Sequence, residues 1–112
     1  MKIYHNPRCA KSRAGLKYLE KKGFDIEIKN YLDDGLTTAE LKNIIEKTGL
    51  KPFDLVRIRE EEYKTHLKGK TLTDDQWIAS LVKFPKLLQR PIVLNGERAI
   101  IANPPEEIEK IV

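Results

Sequence analysis

The chain has 112 residues and a formal net charge of +4, because 21 Lys and Arg outnumber 17 Asp and Glu. This length suits one compact domain, which we expect to span residues 1–112, and the alternating basic and acidic side chains are typical of solvated helix faces rather than of a nucleic-acid-binding surface. No apolar run approaches the roughly 18 residues of a membrane span, and no signal peptide precedes the first strand, so we expect a cytoplasmic protein without membrane contact.

The first part of the chain predicts a β-α-β unit. Residues 1–5 predict a short strand, residues 10–22 a helix, and residues 25–29 a second strand in which polar and apolar side chains alternate. Gly23 is suited to end the helix, because glycine readily adopts the left-handed conformation common there. Since β-α-β crossovers are right-handed, the two strands should be parallel. Residues 33–35, Asp-Asp-Gly, predict a turn.

The middle of the chain predicts a helical block. Two capping boxes, each a Thr followed three residues later by Glu or Gln, predict the starts of two longer helices. They are Thr37 with Glu40 and Thr73 with Gln76. The first helix should end near Gly49 and the second just before Pro85. A short helical piece over residues 52–56 and a polar segment over residues 60–69 lie between them, so the block spans about residues 37–88.

The last part of the chain predicts a β-hairpin and a closing helix. Residues 91–94 and 98–102 are apolar runs separated by Asn-Gly at 95–96, which is a strong signal for a tight hairpin turn. The prolines at 104–105 open the final helix, because proline is tolerated in a first helical turn. Taken in order, the elements predict an α/β fold in which helices flank a small mixed sheet.

Cys9 is the only cysteine, and it falls at the turn from the first strand to the first helix. Unpaired backbone N–H groups and the helix dipole favour an anion at a helix start, and a thiolate is an anion. The basic neighbours Arg8, Lys11 and Arg13 act in the same direction. A free cysteine is often a small buried hydrophobe, but these polar surroundings predict a reactive thiolate with a lowered pKa. One cysteine cannot form an internal disulfide, so nothing points to an oxidising compartment.

Two polar residues near this turn are further catalytic candidates. Ser12 stands where a dithiol enzyme has its second cysteine, and it could cap the helix or donate to the thiolate. An oxidised Cys9 therefore needs an external thiol, for which glutathione is the natural choice. His5 has two interpretations, a packed hydrogen-bonded side chain or a cation that favours the thiolate. His66 should lie at the surface, and the spacing of the histidines and the cysteine argues against a metal site.

The run His5-Asn6-Pro7-x-Cys9-x-x-Ser12-Arg13 resembles the signature of the glutaredoxin-coupled arsenate reductases. The segments around Arg57 and Arg90 resemble further parts of the same family, and the likeness spans roughly residues 2–112. It implies a thioredoxin/glutaredoxin-like fold with a helical insertion. It also implies reduction of arsenate to arsenite with glutathione and glutaredoxin as reductants and without a bound cofactor, in what we expect to be a monomer.

Arginines are the expected oxyanion-binding residues, since the planar guanidinium matches tetrahedral oxyanions. The resemblance points to Arg57 and Arg90, with Arg13 as a third candidate and Arg59 as the alternative to Arg57. The well-studied members of the family carry another arginine after the hairpin, where this chain has Ile-Ala-Asn-Pro at 101–104.

Two further expectations concern the surroundings of the thiol. Arg8 immediately precedes Cys9 and could compensate for the missing arginine, whereas Arg98, at the hairpin turn, should point elsewhere. Thioredoxin-like folds commonly place a cis-proline before the strand that faces the active cysteine, so we expect a cis bond between Arg90 and Pro91.

Two other functions stay open on the sequence alone. A related monothiol oxidoreductase could act on another small molecule or on a glutathione mixed disulfide. Spx-type transcriptional regulators share the fold and bind RNA polymerase, although they usually carry a Cys-x-x-Cys switch that this chain lacks.

Overall fold

A four-stranded mixed sheet forms the centre of the computed structural model, which describes residues 1–112. Its strands are β1 (Lys2–His5), β2 (Glu27–Asn30), β3 (Ile92–Asn95) and β4 (Arg98–Ile101). Their spatial order is β2-β1-β3-β4. β2 runs parallel to β1, whereas β3 is antiparallel to both β1 and β4. The predicted α/β fold with a small mixed sheet is therefore confirmed.

Helix α1 (Ala10–Lys22) connects the two parallel strands, as the β-α-β pattern predicts. It ends at Gly23, whose φ of 79° is the left-handed conformation expected at a helix end. Within the helix, Gly15 lies against Pro91, and a Cβ built on Gly15 would be only 2.6 Å from Pro91 Cγ. The missing side chain therefore lets the helix approach the start of β3 closely.

The segment between β2 and β3 is mostly helical. It contains α2 (Tyr31–Asp34), α3 (Thr38–Thr48), α4 (Glu61–His66), α5 (Asp74–Lys83) and 3₁₀ turns at Pro52–Leu55 and Pro85–Leu87. Both predicted capping boxes are present, at Thr37 and Thr73. The helical segment begins earlier than predicted, because the aspartates expected in a turn lie in the first turn of α2, where the helix dipole favours acidic side chains. None of the helices, here or elsewhere, combines the length and apolar character of a membrane span.

The sheet has an apolar core on each face. Ile3 and Val93 point to one face, where they pack with α1 and the 3₁₀ helix Pro105–Ile111. Tyr4 and Ile92, their neighbours along the strands, point to the other face and belong to a larger core that includes residues of α2, α3 and α5. This alternation is the period of two expected of strands whose two faces are both covered. Helices therefore flank the sheet on both sides, as predicted.

Three further details differ from the sequence prediction. β2 begins at Glu27, two residues later than expected. The hairpin turn starts at Gly96, one residue later than expected, because the positive φ that the turn requires falls on Gly96 while Asn95 pairs with Arg98 in the ladder. The closing helix, Pro105–Ile111, is a 3₁₀ helix.

Candidate active site

Cys9 occupies the N-cap position of α1, after the short loop that follows β1. Its backbone is extended, with φ −98° and ψ 125°, and its N–H donates to the Asn6 carbonyl at 3.0 Å. The backbone N–H groups of Lys11 and Ser12, in the first turn of the helix, act on the partly exposed thiol and lower its pKa. The strand-to-helix turn thus holds the sulfur where a helix N-terminus stabilises a thiolate.

Arg90 reaches Cys9 from a distant part of the chain. Its Nε–H donates to Cys9 Sγ at 3.0 Å, although 81 residues separate the two in sequence. β3 is antiparallel to β1, so the start of β3 lies beside the end of β1 and brings Arg90 to the thiol. The Arg90–Pro91 peptide is cis, the geometry expected from the sequence, and the Asn103–Pro104 peptide is cis as well, which the sequence does not predict.

The surroundings of Cys9 favour the thiolate on balance. Burial is the largest single influence and raises the pKa of the thiol. The backbone N–H of Ser12, the hydrogen bond and charge of Arg90 and the backbone N–H of Lys11 together outweigh it, so the pKa of Cys9 lies below its usual value. These contacts support the lowered pKa expected from the sequence. The backbone N–H groups of the helix start are among these groups, as expected, whereas the side chains of the flanking basic residues Arg8, Lys11 and Arg13 are not.

His5 and Ser12 form a buried hydrogen-bonded pair beneath the turn. His5 Nδ1 lies 2.7 Å from Ser12 Oγ, which also accepts a hydrogen bond from the Asn6 N–H at 2.9 Å. Burial, and after it the charge of Arg13, lowers the pKa of His5, so the imidazole is neutral at pH 7. These contacts favour the packed, hydrogen-bonded interpretation of His5 over the cationic one. Ser12 joins strand to helix and does not cap α1.

A cavity of about 490 Å³ opens beside Arg90 and is called here the cationic cavity. Its lining residues are Lys11, Arg57, Ile58, Arg59, Gln89 and Arg90. Four of these side chains are cationic and none is acidic, so the cavity attracts anions. Because Arg90 also contacts Cys9 Sγ, an oxyanion held at this wall would lie next to the sulfur.

Arg57 is fixed at the wall of the cationic cavity by contacts with two other segments. Its Nη1–H donates to the Lys86 carbonyl at 3.1 Å and lies 3.0 Å from the Glu60 carboxylate. Its backbone N–H donates to the Leu87 carbonyl at 2.7 Å. Arg59, the alternative to Arg57 in the sequence prediction, lines the same cavity, so both arginines belong to the candidate site.

The other arginines considered from the sequence lie elsewhere. Arg13 donates to a backbone carbonyl of the loop before Cys9 at 3.0 Å and lines a different groove, so its predicted oxyanion contact is not supported. The reason is the helix period, since positions two residues apart, such as Lys11 and Arg13, point about 200° apart. Arg98 contacts a carbonyl near the C-terminus at 3.4 Å, as expected of a residue outside the site. Arg8 lines neither the cationic cavity nor that groove.

Tyr31 is a residue of the site that the sequence prediction missed. It begins α2 directly after β2 and is only 1% exposed. Burial raises the pKa of Tyr31 to about 12, and the charges of Arg90, Arg57, Cys9 and Glu60 all act on the phenol. The hydroxyl is therefore neutral and lies among the candidate site groups. Its position follows from a general rule, because the segments after neighbouring parallel strands meet at the same edge of a sheet, and β2 pairs with β1.

The site has no cluster of metal-binding side chains. No three His, Cys, Asp or Glu residues come together in a group that could hold a metal ion. The groups that the site offers to a substrate are one thiol, hydrogen-bond donors and positive charge.

Comparison with known proteins agrees with this geometry. The model of the ArsC family matches residues 4–111. The arsenate reductase of Neisseria meningitidis serogroup A is 40% identical, over 100% of this chain and 97% of its own. The arsenate reductase of Haemophilus influenzae is 37% identical, over 98% of this chain and 97% of its own length. The solved arsenate reductase of Vibrio cholerae is 37% identical and has a TM-score of 0.93, covering 100% of this chain and 98% of that one. The chain therefore has the thioredoxin-like fold that its Cys9 motif implied, and it belongs to the ArsC family.

Proposed function

We propose that the protein reduces arsenate to arsenite, with the Cys9 thiolate as nucleophile and with glutathione and glutaredoxin as reductants. The observation that carries the proposal is the contact between Arg90 Nε and Cys9 Sγ beside the cationic cavity. Membership of the ArsC family, with relatives named arsenate reductases, supports the choice of substrate. The need for a pool of reducing thiols favours the cytoplasm, where we expect a single-domain monomer.

The first step is attack of the thiolate on arsenic. Two anions repel each other, so the site must offset the charge of the arsenate before the sulfur can approach. Lys11, Arg59 and Arg90 supply that positive charge, and Arg57, whose own charge is paired with Glu60, adds N–H donors. An S–As bond forms, and a hydroxyl of the arsenate takes up a proton and leaves as water. The arsenic is still pentavalent at this stage.

The reduction itself needs external thiols, because Ser12 stands in the place of a second cysteine. A glutathione thiolate attacks Cys9 Sγ, an S–S bond forms, and the electron pair of the S–As bond passes to arsenic, which leaves as trivalent arsenite. The glutaredoxin thiolate then attacks the glutathione sulfur of the mixed disulfide and frees the Cys9 thiolate. Two external thiols give up two electrons and arsenic gains two, so the cycle balances.

Two residues that line the cationic cavity can replace the arginine that this chain lacks at residues 101–104. Lys11 lines the cavity although the sequence did not assign it to oxyanion binding, and Arg59 lines it together with Arg57. These two side chains compensate for the missing charge in our proposal, in place of Arg8. A lysine offers a point charge instead of a planar fork, so the contact made by Lys11 is the less directional one.

A coupled assay tests the proposal. The protein is combined with arsenate, glutathione, glutaredoxin, glutathione reductase and NADPH, and the oxidation of NADPH is followed by absorbance. We expect oxidation that depends on arsenate and that Cys9→Ser abolishes without a change in circular dichroism. Ala39→Ser introduces a serine at an exposed position of α3 and serves as the matched control, with full activity.

Three other results would change the assignment. A folded protein without arsenate-dependent turnover would contradict arsenate reduction, and retained turnover in Cys9→Ser would rule out the covalent mechanism. Turnover of a glutathione mixed disulfide without turnover of arsenate would support the related monothiol oxidoreductase. Binding to RNA polymerase without either turnover would support the Spx-type alternative.

A further inference from the structure

A second cavity, of about 410 Å³, borders the loop that leads into Cys9 and is called here the mixed-charge cavity. Its polar lining residues are Asn6, Arg8, Asn30, Asp33 and Lys86. It shares no lining residue with the cationic cavity. The two cavities are therefore separate, and each is lined in part by residues within three positions of Cys9.

The turn that carries Cys9 contributes lining residues to both cavities, although Cys9 itself lines neither. The loop before it, from Asn6 to Arg8, lines the mixed-charge cavity, whereas Lys11 after it lines the cationic cavity. A hydrogen bond from Arg57 Nη1 to the Lys86 carbonyl marks the same division, because the two residues line different cavities. The turn that carries the sulfur thus borders both spaces.

The charges of the mixed-charge cavity differ in kind from those of the cationic cavity. Arg8 and Lys86 are positive, Asp33 is negative, and all three side chains are exposed. None of the three takes part in an ion pair within the chain. Asn30 Oδ1 is buried without a hydrogen-bond partner, so one acceptor at this cavity is left unsatisfied by folding. Such a lining is complementary to a ligand that carries both signs of charge.

We propose that the mixed-charge cavity binds the attacking thiol as a zwitterionic peptide of the glutathione class. The inference rests on the proposed function, in which an external thiol of this class is a reactant. The peptide has one α-ammonium group and two carboxylates. Asp33 pairs with the ammonium group, and Arg8 and Lys86 pair with the carboxylates.

Two cavities also satisfy a geometric requirement of the reduction step. The thiolate displaces arsenic from Cys9 Sγ by approaching on the side opposite the S–As bond, as the S–S bond forms and the S–As electron pair passes to arsenic. With the oxyanion in the cationic cavity, the thiol must arrive from another direction. The mixed-charge cavity borders the same turn, so the oxyanion and the thiol peptide can be bound at the same time. Binding both reactants raises the rate of attack, because the thiol is positioned beforehand and need not collide with the site by diffusion.

Binding of S-methylglutathione tests the inference, because its blocked sulfur cannot form a disulfide. Isothermal titration calorimetry gives its affinity for the reduced wild-type protein without any turnover. Arg8→Ala and Lys86→Ala should each weaken the affinity by about two- to fivefold, the effect of losing one exposed charge contact. Lys42→Ala removes the same charge from an exposed position of α3 and is the matched control, with unchanged affinity.

Two further measurements locate the charged groups of the peptide. Asp33→Asn should weaken the binding of S-methylglutathione but not of its N-acetylated derivative, which lacks the ammonium group. Inorganic phosphate, a stand-in for arsenate that thiols do not reduce, should bind equally well with and without S-methylglutathione, because the two occupy different cavities.

Other outcomes would overturn the inference. One is an affinity for S-methylglutathione that falls in Arg59→Ala but in neither Arg8→Ala nor Lys86→Ala, because the peptide would then occupy the cationic cavity. Displacement of the peptide by phosphate, or no binding at millimolar peptide, would overturn it as well. These results do not depend on arsenate turnover, so the coupled assay judges the proposed function separately.

Discussion

The Cys9 turn and the arginine side of the site are built in opposite ways. The side-chain hydrogen bonds that shape the turn are local, and the longest, between His5 and Ser12, spans seven residues. On the other side, 81 residues separate Arg90 from Cys9, and 29 separate Arg57 from the carbonyl that it contacts. The turn carries its own geometry, whereas the arginines are positioned only when the whole sheet has formed. Substitutions in the turn should therefore cost mainly stability, and substitutions on the arginine side mainly reaction rate.

Arg90→Ala should have the largest effect. It removes the donor to Cys9 Sγ, so the pKa of the thiol rises and the thiolate fraction at pH 7 falls. Together with the lost oxyanion contact, worth about 1.5–3 kcal/mol, this should lower kcat/KM by roughly ten- to a hundredfold. Alkylation by iodoacetamide, measured against pH, should show a midpoint below the usual thiol value in the wild type and a higher one in Arg90→Ala.

Two companion variants sharpen this prediction. Arg98→Ala removes the same charge outside the site and should leave both the midpoint and the rate unchanged. Arg90→Lys should recover only part of the rate, because lysine lacks the planar fork. An Arg90→Ala protein with the wild-type midpoint would show that this contact does not stabilise the thiolate.

Ser12→Ala removes the local hydrogen bonds that hold the Cys9 turn. It removes the hydroxyl that is the hydrogen-bond partner of both the Asn6 N–H and His5 Nδ1. Because a buried polar group without a partner costs about 1–3 kcal/mol, the free energy of unfolding should fall by about that amount. The backbone N–H of Ser12 remains, so the pKa of Cys9 should change less than in Arg90→Ala. Urea unfolding measures the stability. In Ser80→Ala, which removes a hydroxyl bonded within its own helix, stability should change by less than about 0.5 kcal/mol. Equal stability of Ser12→Ala and wild type would mean that this pair does not hold the turn.

Gly15→Ala changes the contact between α1, which begins at the Cys9 turn, and Pro91, which follows Arg90. At an exposed helical position this change gains about 1 kcal/mol of stability. Here the new Cβ would lie 2.6 Å from Pro91 Cγ, so we expect a net loss of about 1–2 kcal/mol. Because α1 begins beside Cys9 and Pro91 follows Arg90, the same displacement should weaken the contact between sulfur and guanidinium and lower kcat.

Thermal unfolding checks the Gly15→Ala prediction against a neighbouring position. Ala14 is exposed on the same helix, and Ala14→Gly should lose only the roughly 1 kcal/mol that helix propensity predicts. A Gly15→Ala protein that melts above the wild type would contradict the close packing of α1 on the start of β3.

Tyr31→Phe should have the smallest effect. The hydroxyl makes no hydrogen bond within the chain, so its removal should change stability by less than about 0.5 kcal/mol. A neutral donor near Arg90 and Arg57 suits a bound oxyanion, so KM for arsenate should rise by about two- to tenfold, the value of one ordinary hydrogen bond. Tyr63→Phe removes a hydroxyl from the aromatic cluster with Phe53 and should leave KM unchanged. An equal KM in Tyr31→Phe and wild type would exclude this contact with substrate.

Features that depend on neighbouring residues were predictable from the sequence. The capping boxes at Thr37 and Thr73, the end of α1 at Gly23 and the placement of Cys9 at a helix start each follow from side chains a few positions apart. The hairpin was predictable in the same way, although Asn and Gly alone did not decide which two residues form its turn.

Features that depend on distant segments were not predictable from local patterns, and the approach of Arg90 to Cys9 was expected only through the family resemblance. The neutral state of His5 follows from burial, which no local pattern reveals. The fixed position of Arg57 requires the 3₁₀ turn with Lys86 to lie beside it. Arg13 is a different case, because the helix period places it and Lys11 on different sides of α1. The sequence alone therefore shows that the two side chains cannot both line the cationic cavity.

Phosphate and arsenate have nearly the same shape and charge, and the cationic cavity contains no side chain that could distinguish phosphorus from arsenic. Phosphate should therefore compete with arsenate for binding in the cationic cavity. A thiolate can transfer two electrons to pentavalent arsenic, whereas phosphate does not accept them. In the proposed reaction, selectivity between the two anions thus arises after binding, from the reactivity of Cys9, and phosphate acts as a competitor that is never consumed.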